Sequence, residues 1–200
     1  MKKYLLLLAG ILSLRAFSQI QMEPQTVQKK NYIYFSPVDL FLKTLELSYE
    51  RNLKNRNAIM ITGGFKLDKG NEGINRIGGT GEIQYKVNLL YPEELKNLVI
   101  KPYSVFAYFA PFLSYRYEEI TGTGNSTDKA SDKSFIQSGF GGIGFGARLT
   151  GLNNRFSLNA YVGGGLKYAD INGDKKYNDF WDVGYTGFAP KLSLQMGIAF

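Results

Sequence analysis

The sequence predicts an all-β protein, an eight-stranded antiparallel up-and-down transmembrane β-barrel, and three observations carry that expectation. The chain ends on a strict polar/apolar alternation in which Leu192, Leu194, Met196, Ile198 and Phe200 share one parity. A period of two puts one face of a strand against something apolar and leaves the other polar. The same two-faced pattern recurs upstream in a chain with 23 glycines, 14 tyrosines, 14 phenylalanines and a mean hydropathy of only −0.19. Membrane barrels read as mildly hydrophobic because half of every strand is polar. The third observation is an export signal at the N-terminus.

That signal is expected in residues 1–18. Lys2 and Lys3 precede an apolar stretch from Tyr4 to Leu14, and Ala16-Phe17-Ser18 has the small-residue spacing of a cleavage site. The apolar stretch is shorter than the ~20 residues a membrane helix needs, and no later segment reaches that length. Residues 19–30 would then be a short periplasmic segment and residues 31–200 the barrel. The formal charge of +7 is partly Lys2, Lys3 and Arg15 of the leader, so the mature chain is only mildly basic. Its charges are spread through strands and turns, which argues against a nucleic-acid partner. Cysteine is absent, so an exported chain of this size needs another source of stability, and barrel closure supplies one.

The elements follow in order. Asn31 to Val38, with the aromatic run Tyr32-Ile33-Tyr34-Phe35, is assigned as the first strand because closed barrels of this kind have an even strand count. From Phe41 to Leu53 the odd positions are largely apolar, and a polar turn at Lys54-Asn55-Arg56-Asn57 leads into Ile59, Ile61, Gly63, Phe65 and Leu67, a hairpin signal. A polar loop is expected from Asp68 to Gly78. Beyond it Ile83, Tyr85, Val87, Leu89 and Tyr91 alternate with Glu82, Gln84, Lys86 and Asn88. Pro92 to Leu98 would form a helical turn. Tyr103 to Tyr117 then gives a long strand with tyrosines at both ends, as an aromatic girdle at each membrane interface requires. Thr121 to Lys133 reads as a solvated loop. Ile136, Ser138 and Phe140 fall on even positions and Ile143, Phe145, Ala147 and Leu149 on odd ones, so a β-bulge is expected at Gly141-Gly142. After a turn at Thr150 to Asn154, Phe156 to Tyr168 forms the next strand, and a polar loop from Asp170 to Gly184 precedes the last. Short connections near Asn55, Pro92 and Asn153 would be periplasmic, and longer loops near Asn71, Asn125 and Asp174 extracellular.

The arrangement resembles small eight-stranded outer-membrane barrels of the OmpA/OmpX type. The strand end Leu47-Ser48-Tyr49-Glu50-Arg51-Asn52-Leu53 before a tight turn is similar to the outer-membrane-protein β-barrel domain families. The resemblance implies a location in the outer membrane of a Gram-negative bacterium, with outer-membrane lipid as surroundings. It also implies a C-terminal signal for the barrel-assembly machinery, with hydrophobes at the last position and two before it. Ile198 and Phe200 fit, whereas the glycine expected about five positions from the end is replaced by Gln195.

The inward set is then Glu46, Glu50, Lys66, Glu82, Lys86, Arg116, Glu118, Arg148, Lys167 and Lys191. Both signs are present in comparable number. In an eight-stranded lumen that side chains just fill, opposite charges should pair, and a plugged polar interior is expected rather than a channel. No enzyme is expected: histidine and cysteine are absent, which removes the usual serine triads, thiol nucleophiles and histidine metal sites. The match of Gly139 to Gly144 to G-x-G-x-x-G lacks a following helix, and the calcium-loop likeness of Asp170 to Asp174 fails at Lys175 and Trp181. No cofactor or metal is expected, and the oligomeric state is not encoded legibly. The expected role is a non-enzymatic envelope barrel with loops available for contacts. The alternative is a soluble exported barrel holding a small apolar ligand as lipocalins do, with Glu82, Gln84, Lys86 and Lys191 in water; a third is a small conducting channel.

Overall fold

Eight antiparallel strands follow one another around a closed barrel, each hydrogen-bonded to its sequence neighbours, with the last pairing back onto the first. This is a computed structural model, and it describes residues 29–53, 57–69, 74–90, 104–122, 132–151, 155–172 and 184–200. The expected leader and the helical turn at Pro92 to Leu98 lie outside these residues. The strands are β1 (Asn31–Phe35), β2 (Thr44–Asn52), β3 (Asn57–Lys69), β4 (Ile74–Leu90), β5 (Ser104–Gly122), β6 (Asp132–Gly151), β7 (Phe156–Asn172) and β8 (Gly187–Ala199). A single helical turn, α1 (Pro37–Phe41), joins β1 to β2. Backbone hydrogen bonds between Asn31 and Phe200 in both directions place the start of β1 and the end of β8 at one end of the barrel, the near end.

Parity governs orientation in every strand. On β4, Glu82, Gln84, Lys86 and Asn88 point inward while Ile83, Tyr85 and Leu89 are exposed. On β8, Gln195 is buried while Leu192, Leu194 and Ile198 are exposed. Strand pairing supplies the ladder hydrogen bonds around the ring, and closure removes most of the free edge that an open sheet would present.

Several elements differ from their sequence expectation. The segment Phe41 to Lys43 is not strand. Ser36 caps α1 by accepting from the Asp39 N–H, Pro37 starts the helix, and Lys43 leaves it at a positive φ of 61°. The expected loop from Asp68 to Gly78 shrinks to residues 70–73 as a connection, because Asp68 pairs with Arg76 and Lys66 with Gly78 in one continuous hairpin. Strands β5 and β6 likewise run into the expected Thr121 to Lys133 loop, and β7 carries Asp170 and Asn172 as strand residues. Polar residues thus continue the ladders past the apolar band, which composition alone reads as loop.

The bulge expected at Gly141-Gly142 does not form. β6 pairs without interruption with β5 from Asp132 to Thr150 and with β7 from Phe135 to Gly151, so its even positions face inward throughout and Ile136 and Phe140 lie inside the barrel. The change of apolar parity is therefore a change of burial content along one strand: Ile136 and Phe140 occupy the inner face before Gly142, and Ile143, Phe145 and Leu149 the outer face after it. The register shift lies instead on β4, between Asn88 and Leu90 opposite β5.

Candidate functional site

The lumen is the candidate site, and one cluster crosses its near half. Glu50 of β2 accepts from Lys86 of β4 at 2.6 Å through one oxygen and from Arg148 of β6 through the other, and all three side chains are almost wholly buried. Each carboxylate oxygen thus has its own cation. Aromatic rings complete the surroundings: the Lys86 ammonium lies 4.6 Å from the Tyr108 ring centre, and the Arg148 guanidinium 4.7 Å from Tyr32 and 4.9 Å from Phe106. Ring faces carry negative charge density, so they partly replace the water that these cations lose.

A chain of neutral hydrogen bonds spans the barrel beside this cluster. Tyr108 donates to Asn159 (2.8 Å), Asn159 to Gln195 (2.9 Å) and Gln195 to Ser48 (3.0 Å), which shares a hydrogen bond with Thr62 (2.8 Å). The bonds run from β5 through β7 and β8 to β2 and β3, and tie together strands that are not adjacent. Such a network rigidifies a core only when its members are satisfied.

Two further ion groups lie toward the far end. Glu118 accepts from Lys66 at 3.3 Å with Arg116 at 3.9 Å, and Glu82 binds Lys191 and accepts from Gln84 at 2.7 Å. The Lys191 ammonium also sits 4.6 Å from the Phe112 ring centre. Between these groups lies a cavity of about 220 Å³, whose wall includes Asp39, Glu46, Glu82, Arg116, Lys167 and Lys191. The charged side chains of the lumen thus fall into separate groups rather than one network. Glu46 accepts a long hydrogen bond, 3.5 Å, from Gln195.

Sequence parity puts Phe106, Tyr108, Phe112 and Tyr161 on the inner faces of β5 and β7, but it does not reveal that with Tyr32 and Tyr34 they make half of the lumen aromatic. Tyr32, Tyr34, Phe106, Tyr108, Phe112 and Tyr161 are buried inside. Room for them comes from glycines on the same inner face: a Cβ on Gly146 would overlap the Tyr108 ring, one on Gly197 the Tyr34 ring, and one on Gly144 would come within 2.7 Å of Tyr161. The readable signal was Gly142, Gly144 and Gly146 at period two on one face, opposite Phe112, Ala110 and Tyr108 in the β5 register.

The outer surface is uniform. Among the described residues, the outward positions from Leu45 to Tyr49, Ile59 to Leu67, Ile77 to Leu89, Val105 to Tyr117, Phe135 to Leu149, Phe156 to Tyr168 and Phe188 to Phe200 include no Asp, Glu, Lys or Arg. Tyr49 and Tyr85 stand toward the near end, where their hydroxyls meet Asn31 and Asn57; Tyr115, Tyr117 and Tyr168 stand toward the far end. Ile198 and Phe200 belong to this exposed surface.

Of the two nucleotide- and calcium-like stretches, Gly139 to Gly144 is strand throughout with no helix after it, and Asp170 and Asn172 end β7 while Asp174 lies outside the described residues. Among the described residues no group of three acidic, histidine or cysteine side chains is placed to hold a metal.

The fold and lumen define a class, a closed eight-stranded up-and-down barrel with a polar and aromatic interior and an apolar exterior. No protein-family model matches the chain, and no curated protein matches it significantly. Among solved structures it is similar to a major outer membrane protein from Thermus thermophilus, with a TM-score of 0.47 and 14% identity over 85% of this chain and 99% of that one.

Proposed function

We infer that the protein is an integral outer-membrane β-barrel of a Gram-negative envelope, non-enzymatic, with a plugged polar lumen and a structural role to which its far-end loops add surface contacts. The observation that carries this reading is the charge-free exterior between two sets of tyrosines. Exposing Leu166 and Leu192 at 72% and 68% to water, with many other large apolar side chains around them, has no rationale in a soluble protein. In lipid it satisfies the solvent, while the buried ladder and lumen groups satisfy the polar atoms. Strands of 17, 19, 20 and 17 residues in β4 to β7 exceed the ~9–11 that a tilted strand needs to cross, so the barrel stands proud of the bilayer on one side. With the near end periplasmic, that projection and the connections at residues 70–73, 123–131 and 173–186 face outward.

The plug is supported by the Glu50, Lys86 and Arg148 cluster together with the buried rings around it. A soluble ligand-binding barrel would need the opposite arrangement, with Glu82, Gln84, Lys86 and Lys191 in water, whereas these line the lumen.

The test is fractionation of expressing cells, followed by gel electrophoresis of the outer-membrane fraction with and without boiling. Recovery there with a heat-dependent shift in migration is the expected result. Recovery in the soluble periplasmic fraction would overturn the reading.

A further inference from the structure

The barrel wall is incomplete on one side. β1 has five residues and pairs with β8 only through Tyr32 to Phe35, opposite Ala199 to Met196. The remaining stretch of β8, from Gly187 to Gln195, has no strand partner on that side among the described residues. At ~3.3 Å per residue this is an edge of roughly 30 Å. Pro190 falls within it, where the free side requires no N–H donor. The short helix α1 stands in the gap instead, held by few bonds: the Ser36 hydroxyl donates to the Leu194 carbonyl at 3.2 Å and the Ser36 N–H to the Glu46 carbonyl at 3.3 Å. None of its residues is buried, and Val38, Leu40, Phe41 and Leu42 are exposed beside the lipid-facing Leu192.

Two spaces of opposite character flank this gap. Inside is the polar cavity of about 220 Å³ that reaches Asp39 and Glu46. Outside is an apolar groove of about 570 Å³ between Val38, Phe145, Ala147, Val162 and Leu194. Both are lined by Leu192 and Ser193 of β8, and α1 contributes Asp39 to the first and Val38 to the second. Ala147 and Ala160, small among larger neighbours, lie on its floor. On the cavity's gap side the acidic charges are Asp39 and Glu46, neither of which forms an ion pair among the described residues. Lys191 of β8 is already bound to Glu82, and the other cations lining the cavity are Arg116 of β5 and Lys167 of β7.

We propose that the gap between β8 and β2 is a lateral binding port for an amine-headed alkyl amphiphile drawn from the bilayer, with α1 as its movable wall. The ammonium group sits inside against Asp39 and Glu46, and the alkyl chain lies outside along Val38, Leu192 and Leu194. The site rests on the outer-membrane reading, since only a surrounding bilayer would deliver such a ligand to the groove.

The experiment uses the folded, heat-modifiable barrel in phosphatidylcholine nanodiscs and a long-chain primary alkylamine bearing a photoreactive group on its chain. Labelled residues are mapped by mass spectrometry, and a carboxylate-headed analogue of equal chain length runs in parallel. Labelling should concentrate on the groove residues, and the amine should exceed the carboxylate by roughly tenfold, the preference that about 1.4 kcal/mol of charge pairing gives. Asp39→Asn with Glu46→Gln should abolish that preference, with heat-modifiability retained as the control for folding. Labelling spread evenly around the exterior, or equal labelling by both head groups in the unaltered protein, would overturn the port while leaving the membrane reading intact. A protein that will not enter the nanodisc or shows no heat-dependent migration would overturn both.

Discussion

At the scale of single residues, the lumen is governed by two kinds of complementarity, charge to charge and ring to glycine. Glu50 serves two cations at once, so removing its charge leaves Lys86 and Arg148 facing each other in a dry interior. Glu50→Gln is expected to cost about 3–5 kcal/mol, read as a fall in the urea concentration at which the fast-migrating folded band disappears. The ring and glycine pairs give a second prediction. Gly146→Ala sets a methyl against the Tyr108 ring, an overpacking worth about 1–3 kcal/mol. Tyr108→Leu also destabilises, through loss of the bond to Asn159 and the ring over Lys86. In the double variant the two losses should add to less than their sum, since the clash disappears with the ring; a double-mutant cycle measures this. The charged strand positions stand out in the sequence because they alternate with large hydrophobes. The packing of the aromatic lumen does not stand out there, since Tyr and Phe suit a lipid interface as well as a packed interior, and only register reveals that Tyr34, Tyr108 and Phe112 face glycines.

At the scale of elements, alternation located the long strands but misjudged their ends and the first hairpin. Polar residues such as Lys66, Asp68 and Arg76 have the composition of a loop, yet hydrogen bonding between facing backbones carries β3 and β4 beyond the apolar band. Sequence signals burial, and a strand that outruns the membrane loses that signal while keeping its ladder. The start of β2 was misjudged for another reason. Phe41 and Lys43 fit the odd-face pattern, but the cap at Ser36 and Pro37 in the first turn favour a helix, and local capping prevails where no partner strand is present. Orientation, by contrast, follows parity strictly, which makes β8 a sharp test. Leu194 is outward, and its neighbours Leu192 and Met196 share that face. Leu194→Arg should cost about 2–4 kcal/mol if the residue lies near the bilayer midplane and less toward either interface. Refolding into lipid vesicles measures that cost, and Ser193→Arg, on the other parity at nearly the same height, serves as the comparison for depth.

At the scale of the whole molecule, the question is whether a polar interior conducts. A polar lumen suggests a channel by composition, and the sequence could argue against one only from the balance of its charges. The structure adds the arrangement: the near half is crossed by the Glu50 cluster and by the hydrogen bonds from Tyr108 to Thr62, while the open volume lies toward the far end and against α1. A cavity at one end does not make a path, since an ion's passage is set by the tightest section. The unaltered barrel in a planar bilayer should therefore show no discrete current steps. Removing the cluster together, as Glu50→Ala, Lys86→Ala and Arg148→Ala, avoids stranding one charge against another and leaves a space bordered by Ser157, Asn159 and the tyrosine hydroxyls. Such a polar space fills with water rather than collapsing. The triple variant should keep its heat-dependent migration and open to small, frequent current steps. Steps in the unaltered protein would mean that the cluster moves aside in the bilayer; silence in the folded triple variant would assign the seal to the rings of Tyr32, Tyr34 and Tyr108 instead of the ions.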